Sequence, residues 1–254
     1  MGWKGNAPRD KRELKAAARR HGSGRTWNRV LRRAATIVFF FLLPMPVLLL
    51  LVFRFIPIPI TPEILLKLVT LQPAHQQWEP LNAISPALAR AVIASEDQNF
   101  CQHSGFDWRS IDDALKTHRR HPHRPLRGAS TISQQTARTL FLLPVRSWIR
   151  KGAEAYLTVL LEALWPKKRI LTAYLNLVDW GRGNYGAEAA SQAYFHKHAS
   201  RLSEGEAARL AAILPNPDEW RAVHPGPYVA TRSGVLVSRS DDVVRDGLDH
   251  CARR

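Results

Sequence analysis

Cysteine, acidic residues and ordered glycine are all in short supply in this 254-residue chain. Its two cysteines, Cys101 and Cys251, are too few for a disulfide framework, so packing must supply the stability. Pairing them needs an oxidising compartment and a proximity that the sequence does not show, so unpaired thiols are expected. Acidic residues number 21 against 37 Lys and Arg, a formal net charge of +16. Such a chain prefers anionic partners: nucleic acid, anionic lipid or a phosphorylated substrate. Eleven of the basic residues fall in 1–33, opposed only by Asp10 and Glu13. That arm has no folded DNA-binding motif, which argues against nucleic acid and for topology and lipid contact. The glycines of Trp180–Gly186 are too irregular for a dinucleotide fingerprint. There is no Ser-x-x-Lys. His118, His121 and His123 lie in a basic, turn-rich stretch over 117–128, where Pro122 and Pro125 break any helical ligand spacing. A mobile loop is expected there, and no metal site.

Charge is also missing from residues 34–53, an apolar run containing Pro44 and Pro46. About 20 apolar residues suffice for a helix to cross a bilayer, and membrane helices tolerate prolines. The run exceeds a signal-peptide core, and no small-residue cleavage site follows it. A retained single transmembrane anchor over 34–55 is therefore expected. The positive-inside rule puts the basic arm, 1–33, in the cytoplasm and the rest outside. A proline-stiffened connector, 56–74, carries a short apolar helix from Glu63. That helix packs on the domain or lies on the membrane surface.

From about 75 to 225 the pattern is mainly α. Ser85 and Pro86 start a helix that runs to Glu96, with Ala87, Leu88, Ala91 and Val92 on its buried face. Glu96 and Asp97 then fall at its C-terminal end, where the helix dipole disfavours carboxylates. A local violation of that kind tends to mark function. Ser147 caps a helix over 148–165 on which Arg150, Lys151 and Glu154 share a face. Helices follow over 168–177, 187–194 and 203–214. The stretch 226–254 reads as a polar tail, irregular from Ser233 onward.

Three dense clusters stand out: Glu96–Asp107, Gly128–Gln135 and Arg150–Glu154. The first matches Glu-Asp-x-x-Phe-x-x-His-x-Gly through Glu96, Asp97, Phe100, His103 and Gly105. The second matches Gly-[Gly/Ala]-Ser-Thr-Ile-x-Gln-Gln through Gly128–Gln135, and the third matches Arg-Lys-x-x-Glu through Arg150, Lys151 and Glu154. With Ile170–Asn176, the segment Gly181–Phe195 and Glu206–Pro217, these five ordered motifs resemble the peptidoglycan glycosyltransferases, glycosyltransferase family 51. Within that family the resemblance is to the monofunctional biosynthetic peptidoglycan transglycosylases of Gram-negative bacteria. It covers roughly residues 78–225.

The resemblance implies a lysozyme-like helical transglycosylase domain behind the anchor, in the periplasm and tethered to the inner membrane. The implied reaction polymerises lipid II into β-1,4 glycan strands with inversion and releases undecaprenyl pyrophosphate. Glu96 is implied as the general base and Glu154 as the second carboxylate, at the leaving group. Arg138, Arg146, Arg150 and Lys151 are implied to hold pyrophosphate; Arg138 stands where the family usually has Lys. Ser130, Thr131, Gln134 and Gln135, with Gly128, would meet sugar and phosphate oxygens. Asp97, Phe100 and His103 complete the substrate-facing set, against packing for Phe100 and bracing for His103. Asp107 reads as a helix cap, and Asn176 and Gly186 as structural. No cofactor is required, with Mg²⁺ at most a stimulant. The implied partners are lipid II, the nascent strand, the membrane, and penicillin-binding and division proteins. A lysozyme-like hydrolase or lytic transglycosylase is the alternative, but glycan cleavage releases no pyrophosphate and has no use for the four cations.

Overall fold

The computed structural model describes residues 27–33, 35–36, 39–121, 123, 130–145 and 147–253. Contacts divide the chain into two units, Met1–Leu49 and Leu50–Arg254. In the first, 27–33 and 39–42 are helical, and a turn at Leu43 precedes α1, Pro44–Phe53. Pro44 and Pro46 have no N–H to give to the preceding turn. Among the described residues no helix is long and apolar enough to cross a membrane. The expected anchor, 34–55, includes three residues outside those described.

In the second unit the end of the apolar run belongs to the folded domain. Leu50 is buried and its carbonyl accepts from Trp165 Nε1 at 2.6 Å. Arg169 donates to the Phe53 carbonyl at 2.9 Å through Nε and to the Ile56 carbonyl at 2.6 Å through Nη2. Its guanidinium lies 4.8 Å from the Trp78 ring and 5.3 Å from that of Trp165, and burial pulls its pKa down to about 10. Thr61 caps α2, Pro62–Val69, which buries Ile64 and exposes Leu65, Leu66, Leu68 and Val69.

The remaining helices start where caps allow. α3 is Pro86–Glu96. Ser85 occupies its N-cap position, but its hydroxyl donates to the Leu202 carbonyl at 2.9 Å and caps nothing. Leu88, Ala89 and Ala91–Ala94 are all buried, so α3 is apolar nearly all round and runs through the core. α4, Trp108–Arg120, is capped by Asp107 and continues into the stretch expected to be a loop from 117. Residues 122 and 124–129 of that stretch lie outside the described residues. α5, Ile132–Phe141, opens on a capping box between Thr131 and Gln134. α6, Trp148–Leu164, is capped by Ser147, and α7, Lys167–Leu177, is buried from Ile170 onward.

Two short parallel strands follow in register, β1 His75–Gln76 beside β2 Asn184–Tyr185. Gly186 then leads into α8, Ala187–Phe195, with φ +89°; a Cβ there would meet the Asn176 carbonyl oxygen at 2.6 Å. Buried Asn176 binds both backbone groups of Glu79, at 2.7 and 2.8 Å. Its expected structural role and that of Gly186 are seen directly.

α9, Glu204–Ile213, has a second capping box, Ser203 with Glu206. The expectation of an irregular tail from Ser233 is corrected. α10, Pro227–Arg245, is a long helix that buries Val229, Ser233, Leu236 and Val243 against α3 and α9. α11, His250–Arg253, follows. The cysteine expectation is corrected too: Cys101 and Cys251 form a disulfide with Cα atoms 5.5 Å apart. Proximity, the condition the sequence could not show, is met by α10 returning the chain to the loop after α3. The domain is thus two packed helical groups, α3/α9/α10 and α5/α6/α7.

Candidate active site

Glu96 ends α3 and is only part-buried, with the loop to Gly105 beyond it. Its Oε2 accepts from Gln135 Nε2 at 3.0 Å. The Gln135 carbonyl accepts in turn from the Tyr174 hydroxyl at 3.2 Å. Burial pushes the Glu96 carboxyl above its ordinary range. The Gln135 bond, the Arg232 charge and Ser95 pull the other way, and the neighbouring Asp97 adds to the rise. Burial and the charge of Glu96 hold the Tyr174 phenol well above its usual value, so it stays protonated.

Asp97 and His103 brace this arrangement. Asp97 is buried, with Oδ1 2.8 Å from His103 Nε2 and Oδ2 accepting the Ile132 N–H at 2.9 Å, at the start of α5. His103 Nδ1 accepts the Gly105 N–H at 3.2 Å, which leaves the Nε2 proton to face Asp97. The Thr131 hydroxyl donates to the Gly105 carbonyl at 2.6 Å while also capping α5. Gly105 has φ +92°, and a Cβ on it would stand 2.9 Å from Thr158 Cγ2. The first two motifs are therefore stitched to each other and pressed onto α6. Phe100 is fully buried, with Lys167 Nζ 4.5 Å from its ring centre. Asp107 caps α4 as expected. Burial raises its carboxyl, but bonds from the Ser110 N–H, Asn99 and the Ser110 hydroxyl outweigh that and hold it low.

Glu154 is buried on α6, and both its oxygens are held by cations: Arg150 at 2.7 Å on Oε2 and Lys151 on Oε1. The sequence spacing put these three on one face, and they meet there. Lys151 Nζ also reaches the Ser130 hydroxyl at 3.3 Å, and Gln135 Nε2 lies 3.4 Å from the Ser130 carbonyl. A continuous polar run thus joins Glu96 to Glu154 through Gln135, Ser130 and Lys151, all around the N-terminus of α5. Gln134 is buried and spent in the capping box. Arg138 is exposed on α5, and its charge bears on Tyr174. Gly128 and Arg146 lie outside the described residues. Among the described residues no three His, Cys, Asp or Glu side chains converge as metal ligands.

Two residues coupled electrostatically to Glu96 escaped the sequence reading. Tyr174 sat within a motif as an unmarked aromatic. Arg232 sat in the supposed tail, where the spacing of Val229, Ser233, Leu236 and Val243 is the helical signal that was overlooked.

The family model for transglycosylases matches residues 63–240, and so reaches into α10. The chain is 45% identical over 228 residues to a biosynthetic peptidoglycan transglycosylase of Caulobacter vibrioides, covering 90% of this chain and 99% of that protein. A protein of the same name from Rhodospirillum centenum is 46% identical over 224 residues, 88% of this chain and 96% of the relative. One from Chromohalobacter salexigens is 50% identical over 212 residues, 80% and 90% of the two chains.

Proposed function

The chain belongs to the transglycosylase family, and from that premise we propose that it polymerises lipid II into β-1,4 glycan strands of peptidoglycan. In this reading Glu96 takes the proton from the acceptor 4-hydroxyl. The hydroxyl oxygen bonds to the donor's anomeric carbon with inversion, and the bond to the pyrophosphate oxygen breaks. The observation that carries the reading is the pairing of unlike carboxylates. Glu96 is part-buried at a helix end, and burial holds its carboxyl above the ordinary range, which makes the carboxylate a stronger proton acceptor, as suits a general base. Glu154 is neutralised by Arg150 and Lys151, which puts cations where an anionic leaving group would form.

Those cations favour pyrophosphate release over hydrolysis of preformed glycan. Arg138 and Arg146 are assigned to the same pyrophosphate by the family resemblance, Arg146 lying outside the described residues. In this reading the exposed Ser130 meets substrate oxygens, and Gln135, its amide held by Glu96 and Tyr174, orients the base, whereas Asp97, Phe100, His103, Thr131 and Gln134 support the site from within the fold. With both Glu154 oxygens taken and no ligand cluster among the described residues, the site does not fit a resident Mg²⁺, and no step runs through one. The lysozyme-like lobe, the inner-membrane anchor over 34–55 and a periplasmic catalytic domain belong to the same proposal. The Cys101–Cys251 bond supports it, since disulfides persist in oxidising compartments. Penicillin-binding and division proteins are the proposed partners.

The test is incubation of the purified protein in detergent with labelled lipid II. Lysozyme-sensitive polymer is expected from the wild type and none from Glu96→Gln. Degradation of preformed glycan without synthesis would establish the hydrolase instead.

A further inference from the structure

α3 and α10 pack together, and Pro86, Ala89 and Arg90 at the start of α3 line a pocket with Asp249 and Arg253 beyond the end of α10, so the two helices run antiparallel. Ala87 and Arg90 of α3 line a small cleft together with Val237, Ser240 and Asp241 of α10. Both helices rise equally per residue. Moving from 87–90 to Glu96 on α3 therefore corresponds to moving back from 237–241 to about 232 on α10. Arg232 also sits at helical spacing between buried Val229 and Leu236, on the inward side. Its guanidinium has no carboxylate or carbonyl partner among the described residues, and its Nε is buried without an acceptor. Arg232 itself is only part-buried, but a donor nitrogen buried without an acceptor costs stability and has no structural return. What it faces across the helix pair is the end of α3.

The other groups around that end are accounted for. Asp97, on the same chain turn, is spent on His103 and the Ile132 N–H. α5 presents neutral Gln135, and α7 presents Tyr174, which stays protonated. Arg138 of α5 bears on Tyr174. The charges of α9 are engaged elsewhere: Glu206 pairs with Lys197, and Arg209 lies over the Phe195 ring. Glu204 lines the cleft at the far end of α3, with Arg90 and Asp241.

We propose that Arg232 is a positioning residue for Glu96, a fixed cation on α10 set across the helix pair from the carboxylate at the end of α3. The electrostatics of Glu96 agree, with Arg232 as a cation that offsets its desolvation. The inference rests on the reading of Glu96 as the base, and it adds α10 to the elements that build the site.

The experiment is the pH profile of kcat/KM for lipid II polymerisation in Arg232→Gln, Arg232→Lys and Glu96→Gln. The acid limb reports the free enzyme's base. Removing the cation raises that limb, and Arg232→Gln is expected to move it about one pH unit toward alkaline. Arg232→Lys is expected to restore it. Arg232→Met, similar in length and apolar, serves if the glutamine variant unfolds. An unmoved limb, or a raised KM with the limb unmoved, overturns the proposal, the latter by making Arg232 a substrate contact. If Glu96→Gln is inactive while the limb stays put, only the Arg232 assignment falls. If Glu96→Gln polymerises at the wild-type rate, the base reading falls and this one with it.

Discussion

At the scale of single residues, Glu96 sets stability against chemistry. Its folded carboxyl titrates above its unfolded value, so the native state holds the proton more tightly. Below the unfolded pKa both states are protonated and nothing is lost. As pH rises past it, the unfolded chain ionises first, and stability falls until the folded group has ionised too. Glu96→Gln is therefore expected to be more thermostable than wild type at pH 8 and equal to it near pH 4. The shift should be about 2–4 °C for each kcal/mol relieved. Calorimetry at the two pH values checks this, and equal midpoints at pH 8 would refute it. The sequence marked Glu96 through its misplacement at a helix end, and Glu154 through i,i+4 spacing to Arg150. It could not mark which neighbours turn inward. Phe100, Asp97 and Gln134 carry the chemistry of contact residues, yet a buried ring, a paired carboxylate and a capping amide have consumed them.

At the scale of elements, the site is held by joints between a loop and two helices. The loop from Asp97 to Gly105 is fastened to the start of α5 by Asp97 and Thr131, and pressed on α6 through Gly105. Gly105→Ala combines a left-handed backbone with a Cβ 2.9 Å from Thr158 Cγ2. It is expected to cost about 1–3 kcal/mol and to lower polymerisation with it. Urea denaturation measures the first effect, and an unchanged midpoint would show that the loop is free to shift. Helices with caps and apolar stripes were legible, α3, α6 and α9 among them. α10 was not, because Ser233 interrupts an already sparse stripe and the other positions are polar. The start of α4's supposed loop was misplaced for a related reason. α4 buries no residue, so its helical end carries no apolar signal to read.

At the scale of the whole molecule, one covalent link ties the segment beside Glu96 to the far end of the chain. Cys101 lies five residues after Glu96, and Cys251 is 150 residues further on. In the chain-entropy picture, closing so long a loop restrains the unfolded state by about 5 kcal/mol. Cys251→Ser is expected to lose a large part of that, read as a lower denaturant midpoint. Adding reductant to the wild type should reproduce the loss. If reduced and oxidised protein unfold together, the bond contributes nothing. No local pattern could have revealed this pairing, since it depends on where α10 ends in space and not on any spacing along the chain.

The orientation of the Gln135 amide has a stereochemical consequence. Tyr174 keeps its phenolic proton and donates it to the amide oxygen, so the amide nitrogen must point at Glu96 Oε2. That oxygen already receives a hydrogen and has no room for another along the same direction. Oε1 is the more open of the two, its one side-chain donor among the described residues being the Ser95 hydroxyl at a long 3.5 Å. The two oxygens of one carboxylate are thereby made inequivalent.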